Sequence, residues 1–401
     1  ALLAFFLEST FLGLWIFGWD KLRRGVHLAC IWLAAIGTML SAIFILAANS
    51  FMQNPVGATY NPVTDRAEMT DFVAVMTNPV FLASFPHQIA ASYMTAGGFV
   101  LLVAGYHLAK LNKADRSEQE EKDLGAYRWA AKFGAWVLLV AGVGIIVSGD
   151  HQGKVMYDVQ PMKMAAAEAL YETAGGEGEP MARFSILTIG SLDGSEPLFE
   201  ITVPGILGFL AEGDPGAEVQ GINNLQAEYA AGGLVNPDNE LQQAYADKLA
   251  TVGITDFVPN IPISYWSFRI MMTLGFIAIA IAAVALWMLR KDRLPRDTWW
   301  WKAGMLIAFL APLFGKSVGW IFTEMGRQPW IVAGVLPTAT AVSPGVGAGP
   351  MLFTMIGYTV LYGALAVVEV GLMIKYVKLG MPAEVPPVEI KGEDDVLSFA
   401  Y

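Results

Sequence analysis

Four histidines and 18 methionines include the side chains of this chain best suited to hold a redox metal centre. His87 follows Pro86 at the start of one apolar run, and Met271 lies beside Met272 near the start of a later one. An imidazole paired with a thioether is typical of a six-coordinate, electron-transfer haem. Spacing alone does not show that the two residues meet and does not favour Met271 over Met272, and most methionines in such runs serve packing.

A polar cluster ends another apolar run at residues 323–330, shortly after Trp320. Its sequence is Thr-Glu-Met-Gly-Arg-Gln-Pro-Trp, and it contains Glu324, Arg327 and Gln328. Arginine makes bidentate contacts with carboxylates, and these include haem propionates. The alternative is an anchor at the membrane surface, built from tryptophan, arginine and a proline turn.

Three ionisable residues lie inside apolar runs: Glu8, which precedes Ser9, together with Lys316 and Glu369. Charges at such depth are costly and are functional candidates by default, as proton relays, cofactor partners or ion ligands. The alternatives are a buried ion pair, or a side chain that reaches from the end of a span to the membrane surface.

Seven apolar segments carry or flank these residues. The chain of 401 residues is 55% hydrophobic and 15% charged, whereas soluble domains carry about 25% charged residues. A helix needs roughly 17–25 apolar residues to cross a bilayer, and open strands would leave backbone groups unpaired in lipid. We therefore predict an all-α, polytopic bundle of transmembrane helices, with spans at residues 1–17, 26–49, 88–109, 133–149, 264–289, 303–323 and 350–374.

The distribution of positive charge orients these spans. Of the 25 Lys and Arg residues, 17 fall on one side, in the stretch 21–24 and in the segments 110–132, 290–302 and 375–401. By the positive-inside rule this side is the cytoplasm. The orientation puts His87 and Met271 at the same depth near the outer surface.

A long acidic loop, residues 150–263, is predicted on the outer side. It holds 17 Asp and Glu against four Lys and Arg, and residues 162–173 and 241–249 are candidate helices within it. The predicted organisation is a first membrane bundle (1–149), this loop, a second membrane bundle (264–379) and a flexible cytoplasmic tail (380–401). A net charge of −11 does not suggest nucleic-acid binding, and the single cysteine excludes a disulfide within the chain.

Several short strings, in order along nearly the whole chain, resemble subunit I of cytochrome bd-type quinol oxidases. They are Ala4-Phe-Phe-Leu-Glu-Ser-Thr-Phe11, Gly18-Trp-Asp20, Ala48-Asn-Ser-Phe-Met-Gln-Asn-Pro55, Asp158-Val-Gln160, Phe268-Arg-Ile-Met271 and Gly326-Arg-Gln-Pro-Trp330. Each string is weak alone, but together they are specific.

The resemblance implies a quinol:oxygen oxidoreductase of the bacterial cytoplasmic membrane, with two b-type haems, one low-spin and one high-spin, and one d-type haem. Quinol would be oxidised at the outer face near the long loop, called the Q-loop. Oxygen would be reduced to water with protons from the cytoplasm, which separates charge without pumping. The implied partners are subunit II, small single-span subunits and membrane lipid.

The resemblance also assigns roles to individual residues. It implies that His87 and Met271 ligate the low-spin haem iron beside Arg269, and that Glu324 ligates the high-spin b haem. The other haem-proximal residues would be Trp320, Arg327 and Gln328.

The implied quinol site contains Lys163 and Glu168, and the implied proton route contains Glu8 and Ser9. Quinol oxidation needs a base and a charge-stabilising cation. Glu168 supplies the base, and Lys163 supplies the cation. Their spacing of five is only fair for one helix face.

Some features depart from the family. Its members have nine spans, and we expect two further spans, with the histidine associated with the d-type haem, to precede residue 1. The family suggests no role for Lys316. The alternatives are a transporter or channel that uses Glu8, Lys316 and Glu369, for which we find no sequence repeat, and a non-catalytic scaffold, which leaves the shared depth of His87, Met271 and Glu324 without a reason.

Overall fold

The computed structural model describes residues 2–19, 21–190, 197–233 and 235–381. Nearly all of the predicted tail, residues 382–401, therefore lies outside the described residues. Each of the seven predicted spans coincides with a helix. A short helix, α3 (Phe72–Met76), lies between the second and the third of these helices. The seven helices are α1 (Leu2–Phe17), α2 (Arg24–Gln53), α4 (Pro79–Lys110), α5 (Glu118–Val159), α10 (Ile261–Met288), α11 (Trp299–Met325) and α12 (Ala348–Leu379).

Six of these helices are long and apolar enough to cross a membrane, so the chain is an integral membrane protein. The seventh, α1, has 16 described residues and is about 24 Å long at 1.5 Å per residue, short of a hydrocarbon core of about 30 Å.

Most of the helices extend beyond the predicted apolar limits into polar sequence. The capping box of Ser117 and Glu120 starts α5 well before its apolar part, and the helix continues to Val159 rather than ending at residue 149. Asn78 caps α4, with Pro79 in its first turn, where proline costs no hydrogen bond.

Residues 2–49 belong to one compact unit and residues 50–378 to another. In the first unit, α1 and α2 approach closely at Gly37, where an added Cβ would lie 2.8 Å from the backbone nitrogen of Glu8. The ring of His27 stacks on Trp15, and its Nε2 lies 2.7 Å from the Trp15 carbonyl oxygen.

The second unit is built around a four-helix bundle of α4, α5, α10 and α11. Small residues bring the helices together: an added Cβ at Gly97 would lie 2.7 Å from the Gly134 carbonyl, and one at Gly98 would overlap the Ala308 carbonyl. The core between them is apolar and closely packed. Its fully buried members include Met94, Leu101, Leu108, Leu138, Ala278, Ala282 and Ala308.

The last helix, α12, packs loosely: none of its residues is buried. The Val377 carbonyl lies 2.7 Å from Nε2 of His107 on α4. A cavity of about 540 Å³ separates the two helices, lined by Phe99 and Glu369 among other residues.

The long loop, which we define as residues 160–260, folds against the His87 end of the bundle. It contains the helices α6 (Pro161–Glu168), α7 (Ile206–Glu212), α8 (Ile222–Ala230) and α9 (Glu240–Val252). Two of these fall on the candidate helices at 162–173 and 241–249.

Three two-stranded antiparallel hairpins are a feature that the sequence analysis did not predict. The strand pairs are β1 (Ala58–Asn61) with β2 (Arg66–Met69), β3 (Arg183–Gly190) with β4 (Pro197–Pro204), and β5 (Trp330–Val332) with β6 (Leu336–Pro337). All of them lie between spanning helices, so the all-α bundle describes the membrane part of the chain.

The glycine contacts of the bundle give a first prediction. Gly98→Ala should lower the thermal stability of the purified protein in detergent, by about 1–3 kcal/mol, because the new methyl group meets the backbone of α11. Gly304→Ala is the matched control, since an added Cβ there meets nothing within 4 Å, and it should leave stability unchanged or slightly raised. Equal melting temperatures for the two variants would contradict the close packing of α4 on α11.

Candidate functional site

His87 and Met271 lie at one level of the four-helix bundle. In two antiparallel helices, residues that lie equally many positions from a mutual contact, in opposite chain directions, have the same depth, because every residue rises 1.5 Å. Gly98 of α4 meets Ala308 of α11, so His87, eleven residues earlier, lies level with Gly319, eleven residues later. An added Cβ at Gly319 would lie 2.7 Å from the sulfur of Met271.

A second pair of helices gives the same level. Gly142 of α5 meets Ile279 of α10; moving eight residues along each helix brings Met271 level with residue 150. The His87 ring lies against α5: a Cβ added at Gly149 would be 3.4 Å from Cε1 of His87. Nδ1 of His87 lies 3.1 Å from Oγ of Ser148. The imidazole and the thioether are therefore within about one helical turn of the same depth.

A buried ion pair joins the long loop to this level. Nη2 of Arg269, two residues before Met271 on α10, donates to Oε2 of Glu168 at 2.6 Å, and the two side chains are 8% and 1% exposed. Ser185 of β3 completes the contact: its backbone N–H donates to the same carboxylate oxygen at 3.2 Å, and its carbonyl accepts from Nε of Arg269 at 2.8 Å. Burial raises the pKa of Glu168, an effect that the Arg269 guanidinium opposes.

Three polar residues of this network were not predicted: Ser185, Thr188 and Tyr265. The Tyr265 hydroxyl lies 2.7 Å from Oγ of Ser185 and accepts from the Thr188 backbone N–H at 2.6 Å. Tyr265 is also stacked on the guanidinium of Arg269, one turn further along α10, with 4.7 Å to the ring centre. Spacing of four residues puts Tyr265 and Arg269 on one helix face, and this is the signal that could have found the tyrosine.

Lys163 and Glu168, predicted as one quinol site, point to different neighbours. Five residues turn a helix by about 500°, so their side chains leave α6 about 140° apart. Nζ of Lys163 donates to Oε1 of Gln53 at 3.0 Å and to the Thr323 carbonyl at 3.1 Å. Burial, reinforced by the positive charge of Arg327 and opposed by Glu324, lowers the pKa of Lys163 to about 7.

The predicted polar cluster at the end of α11, residues 323–330, lies next to Lys163. Arg327, which is buried, pairs with the half-exposed carboxylate of Glu324. Gln328 accepts from the Thr338 hydroxyl at 2.8 Å, and Trp320, which is partly buried, lies one turn before Glu324 on α11.

A cavity of about 20 Å³ opens between this cluster and the long loop, lined by Lys163, Arg327, Tyr229 and Trp330 among others. It is large enough for a water molecule.

Unsatisfied donors provide a test of whether these residues fit haem. Nη1 of Arg269 and both Nε and Nη1 of Arg327 are buried and have no hydrogen-bond partner among the described residues. Buried donors of this kind normally find an acceptor, and a haem propionate is an anionic acceptor suited to a guanidinium. With an imidazole and a thioether at one level beside Arg269, the residues fit a haem.

The remaining predicted residues are not part of this arrangement. Glu8 and Ser9 belong to the separate unit of residues 2–49, where the Ser9 hydroxyl donates to the Phe5 carbonyl at 2.9 Å. Nζ of Lys316 donates to Oγ of Ser92 at 2.8 Å, while Glu369 lines the cavity beside α12. No ion pair between Lys316 and Glu369 occurs in the part of the chain that the structure describes.

Comparison with known proteins agrees with the resemblance. The family model for "Cytochrome bd terminal oxidase subunit I" matches residues 1–381. The chain is 39% identical, over 95% of its length and 74% of the relative's, to cytochrome bd ubiquinol oxidase subunit 1 of Bacillus subtilis (strain 168). It is 31% identical, over 96% of its length and 79% of the relative's, to cytochrome bd-II ubiquinol oxidase subunit 1 of Escherichia coli (strain K12).

The fold is also similar to a solved structure, described as that of bd oxidase from Geobacillus thermodenitrificans. The TM-score is 0.72 at 24% identity, and the likeness covers 95% of this chain and 77% of the other. It therefore supports the helical arrangement rather than the role of any residue.

The Glu168–Arg269 pair gives a second prediction. Arg269→Met should destabilise the purified protein by about 3–5 kcal/mol, because it leaves a buried carboxylate without its partner. Glu168→Gln combined with Arg269→Met should cost less than the two single changes added together. A double-mutant cycle on thermal unfolding in detergent measures this coupling, and additive effects would show that the two side chains do not interact.

Proposed function

Because this chain belongs to the cytochrome bd terminal oxidase subunit I family, we propose that it is the haem-carrying subunit of a quinol:oxygen oxidoreductase. Quinol is oxidised where the long loop meets the bundle, and oxygen is reduced to water within the membrane part. Its proposed partners in the bacterial cytoplasmic membrane are subunit II and small single-span subunits.

One observation carries the proposal: the buried contact between Glu168 and Arg269, two residues from Met271 on the same helix. Two residues correspond to about 3 Å along the helix axis. A group that takes protons from quinol and a group that holds an electron acceptor are then neighbours, as a reaction that separates protons from electrons requires.

Glu168 acts as the base for the quinol hydroxyl. One of its oxygens is held by Arg269 and by the backbone of Ser185, while Oε1 has no partner among the described residues. The held oxygen fixes the orientation of the carboxylate, and the other oxygen is available to accept a proton. Its raised pKa brings its basicity closer to that of a useful general base at neutral pH.

Lys163 supplies positive charge at the opposite face of α6. With a pKa of about 7, its ammonium is present in mildly acidic solution and is lost as the pH rises. The charge that stabilises the developing quinolate anion therefore depends on pH in the physiological range.

Two b-type haems and one d-type haem would supply the one-electron carriers and the oxygen-reducing centre when bound. His87 and Met271 would ligate the iron of the low-spin b haem, and Arg269 would hold a propionate through Nη1, which has no partner among the described residues. Glu324 would ligate the high-spin b haem, with Trp320, Arg327 and Gln328 beside it. This assignment rests on the family motif and on the buried donors of Arg327.

Glu8 and Ser9 pass protons toward the oxygen-reducing site from the cytoplasm. A carboxyl within a span can take up and release a proton where water is scarce, and the hydroxyl of Ser9 is adjacent in sequence. With the long loop on the outer face, protons are released outside and consumed from inside, so each turnover moves charge across the membrane without pumping.

His87→Ala tests the ligand assignment. The variant should lose the low-spin b-type signal in reduced-minus-oxidised spectra, together with quinol oxidation, because imidazole ligation is removed. His151→Ala is the matched control, since His151 is exposed on α5, and it should keep both. A full low-spin spectrum in His87→Ala would remove His87 from the iron.

The pH dependence of quinol oxidation tests Glu168 and Lys163. We expect kcat to fall on the acid side as the Glu168 carboxylate is protonated, and on the alkaline side as Lys163 loses its proton near pH 7. Lys163→Arg should shift the alkaline limb upward, because arginine keeps its charge. Glu168→Gln should lower kcat by about 10²–10⁴-fold and remove the acid limb, with haem content unchanged.

Initial rates of quinol-dependent oxygen consumption measure these profiles. An alkaline limb that is the same in the native enzyme and in Lys163→Arg would exclude Lys163 as its origin. An unchanged turnover in Glu168→Gln would exclude that residue as the base.

A further inference from the structure

Lys316 is a cation within a transmembrane helix to which neither the family motif nor the proposed reaction assigns a role. It lies nine residues before Met325, the nearer end of α11, and so about 14 Å from that end along the axis. A lysine at such depth is costly and calls for a functional reason.

The side chain does not reach for the nearer surface. Its Nζ donates to Oγ of Ser92 on α4 at 2.8 Å. The contact of Gly98 with Ala308 makes Ser92 level with residue 314, which is deeper in the bundle than Lys316 itself. A lysine that escaped to the membrane surface would point the other way, toward Met325.

Its hydrogen-bond partner is uncharged. The Ser92 hydroxyl donates in turn to the Gln88 carbonyl at 2.9 Å. Across residues 2–19, 21–190, 197–233 and 235–381, no carboxylate forms an ion pair with Lys316, whereas the buried cations Arg269 and Arg327 are both paired. The field of this charge is therefore not cancelled by an acid in contact with it.

The charge lies beside the level of His87 and Met271. Lys316 is flanked on α11 by Gly315 and Gly319, and an added Cβ on either would lie within 4 Å of Met271. Ser92 follows His87 by five residues on α4, or about 7.5 Å along the axis. The ammonium is held about one to one and a half turns deeper than the imidazole and the thioether.

We propose that the positive charge of Lys316 raises the reduction potential of the redox centre held by His87 and Met271. Reduction adds an electron to that centre, and a cation nearby in a medium of low dielectric constant stabilises the added negative charge. The bound Ser92 hydroxyl fixes the distance at which the charge acts. This inference rests on the proposed function, because it takes a low-spin haem to be bound at that level.

The test is a spectroelectrochemical titration of the low-spin b-type signal in the complete purified oxidase. Lys316→Met and Lys316→Gln remove the charge, and the second retains a hydrogen-bonding group for Ser92. Both should lower the ratio of reduced to oxidised haem at a fixed potential about tenfold, which equals a negative shift of about 59 mV for one electron. Lys316→Arg, which keeps the charge, should titrate close to the native protein.

An unchanged midpoint in Lys316→Met and Lys316→Gln would overturn the inference, and so would equal shifts in Lys316→Arg and Lys316→Met, since charge would then not be the cause. A native preparation without a low-spin b-type signal would instead contradict the proposed function. If one neutral variant does not assemble, the other neutral variant provides the measurement.

Discussion

The contact between Glu168 and Arg269 is the interaction on which the site depends. This ion pair connects the long loop of about a hundred residues to α10, the helix that carries Met271. Isolated charges of this kind would be strongly disfavoured in the interior. The pair is retained together with a backbone donor and acceptor from Ser185, which satisfy further hydrogen-bonding capacity of both side chains. Loop and bundle are thereby held in one register.

That register in turn depends on glycine. Where α4 meets α5 and α11, the helices approach until backbone lies against backbone, at Gly97, Gly98 and Gly134. Larger residues at these points would separate the helices and could change which residues share a level. The alignment of His87 with Met271 thus depends on the glycine contacts at Gly97 and Gly98, which lie ten and eleven residues after His87 on α4. At about 1.5 Å per residue, these contacts are some 15 Å deeper in the bundle than His87. At the level itself, Gly149 and Gly319 leave room beside the imidazole and the sulfur.

Much of this architecture could be predicted from the sequence, because the bilayer imposes a simple rule on apolar length. The orientation of the spans alone predicts a common depth for His87 and Met271. Tertiary partners were a different matter. Lys163 binds Gln53 and the Thr323 carbonyl, whereas Glu168 binds Arg269. These different partners follow from the 140° between the two side chains on α6, and that angle matters only once the place of α6 against the bundle is known. The sequence analysis did not predict the β3–β4 hairpin or the role of Ser185, because apolar and polar residues alternate only weakly in these short strands. The buried side chains of β3 contact Tyr265 on α10 rather than a second sheet.

Near-infrared magnetic circular dichroism of the oxidised low-spin haem tests the ligand assignment most directly, because this band reports the pair of axial ligands. We expect a histidine–methionine signature in the native protein, its loss in Met271→Leu, and its retention in Met272→Leu. A bis-histidine signature, or a band that Met271→Leu leaves unchanged, would contradict the assignment of iron to the level shared by His87 and Met271.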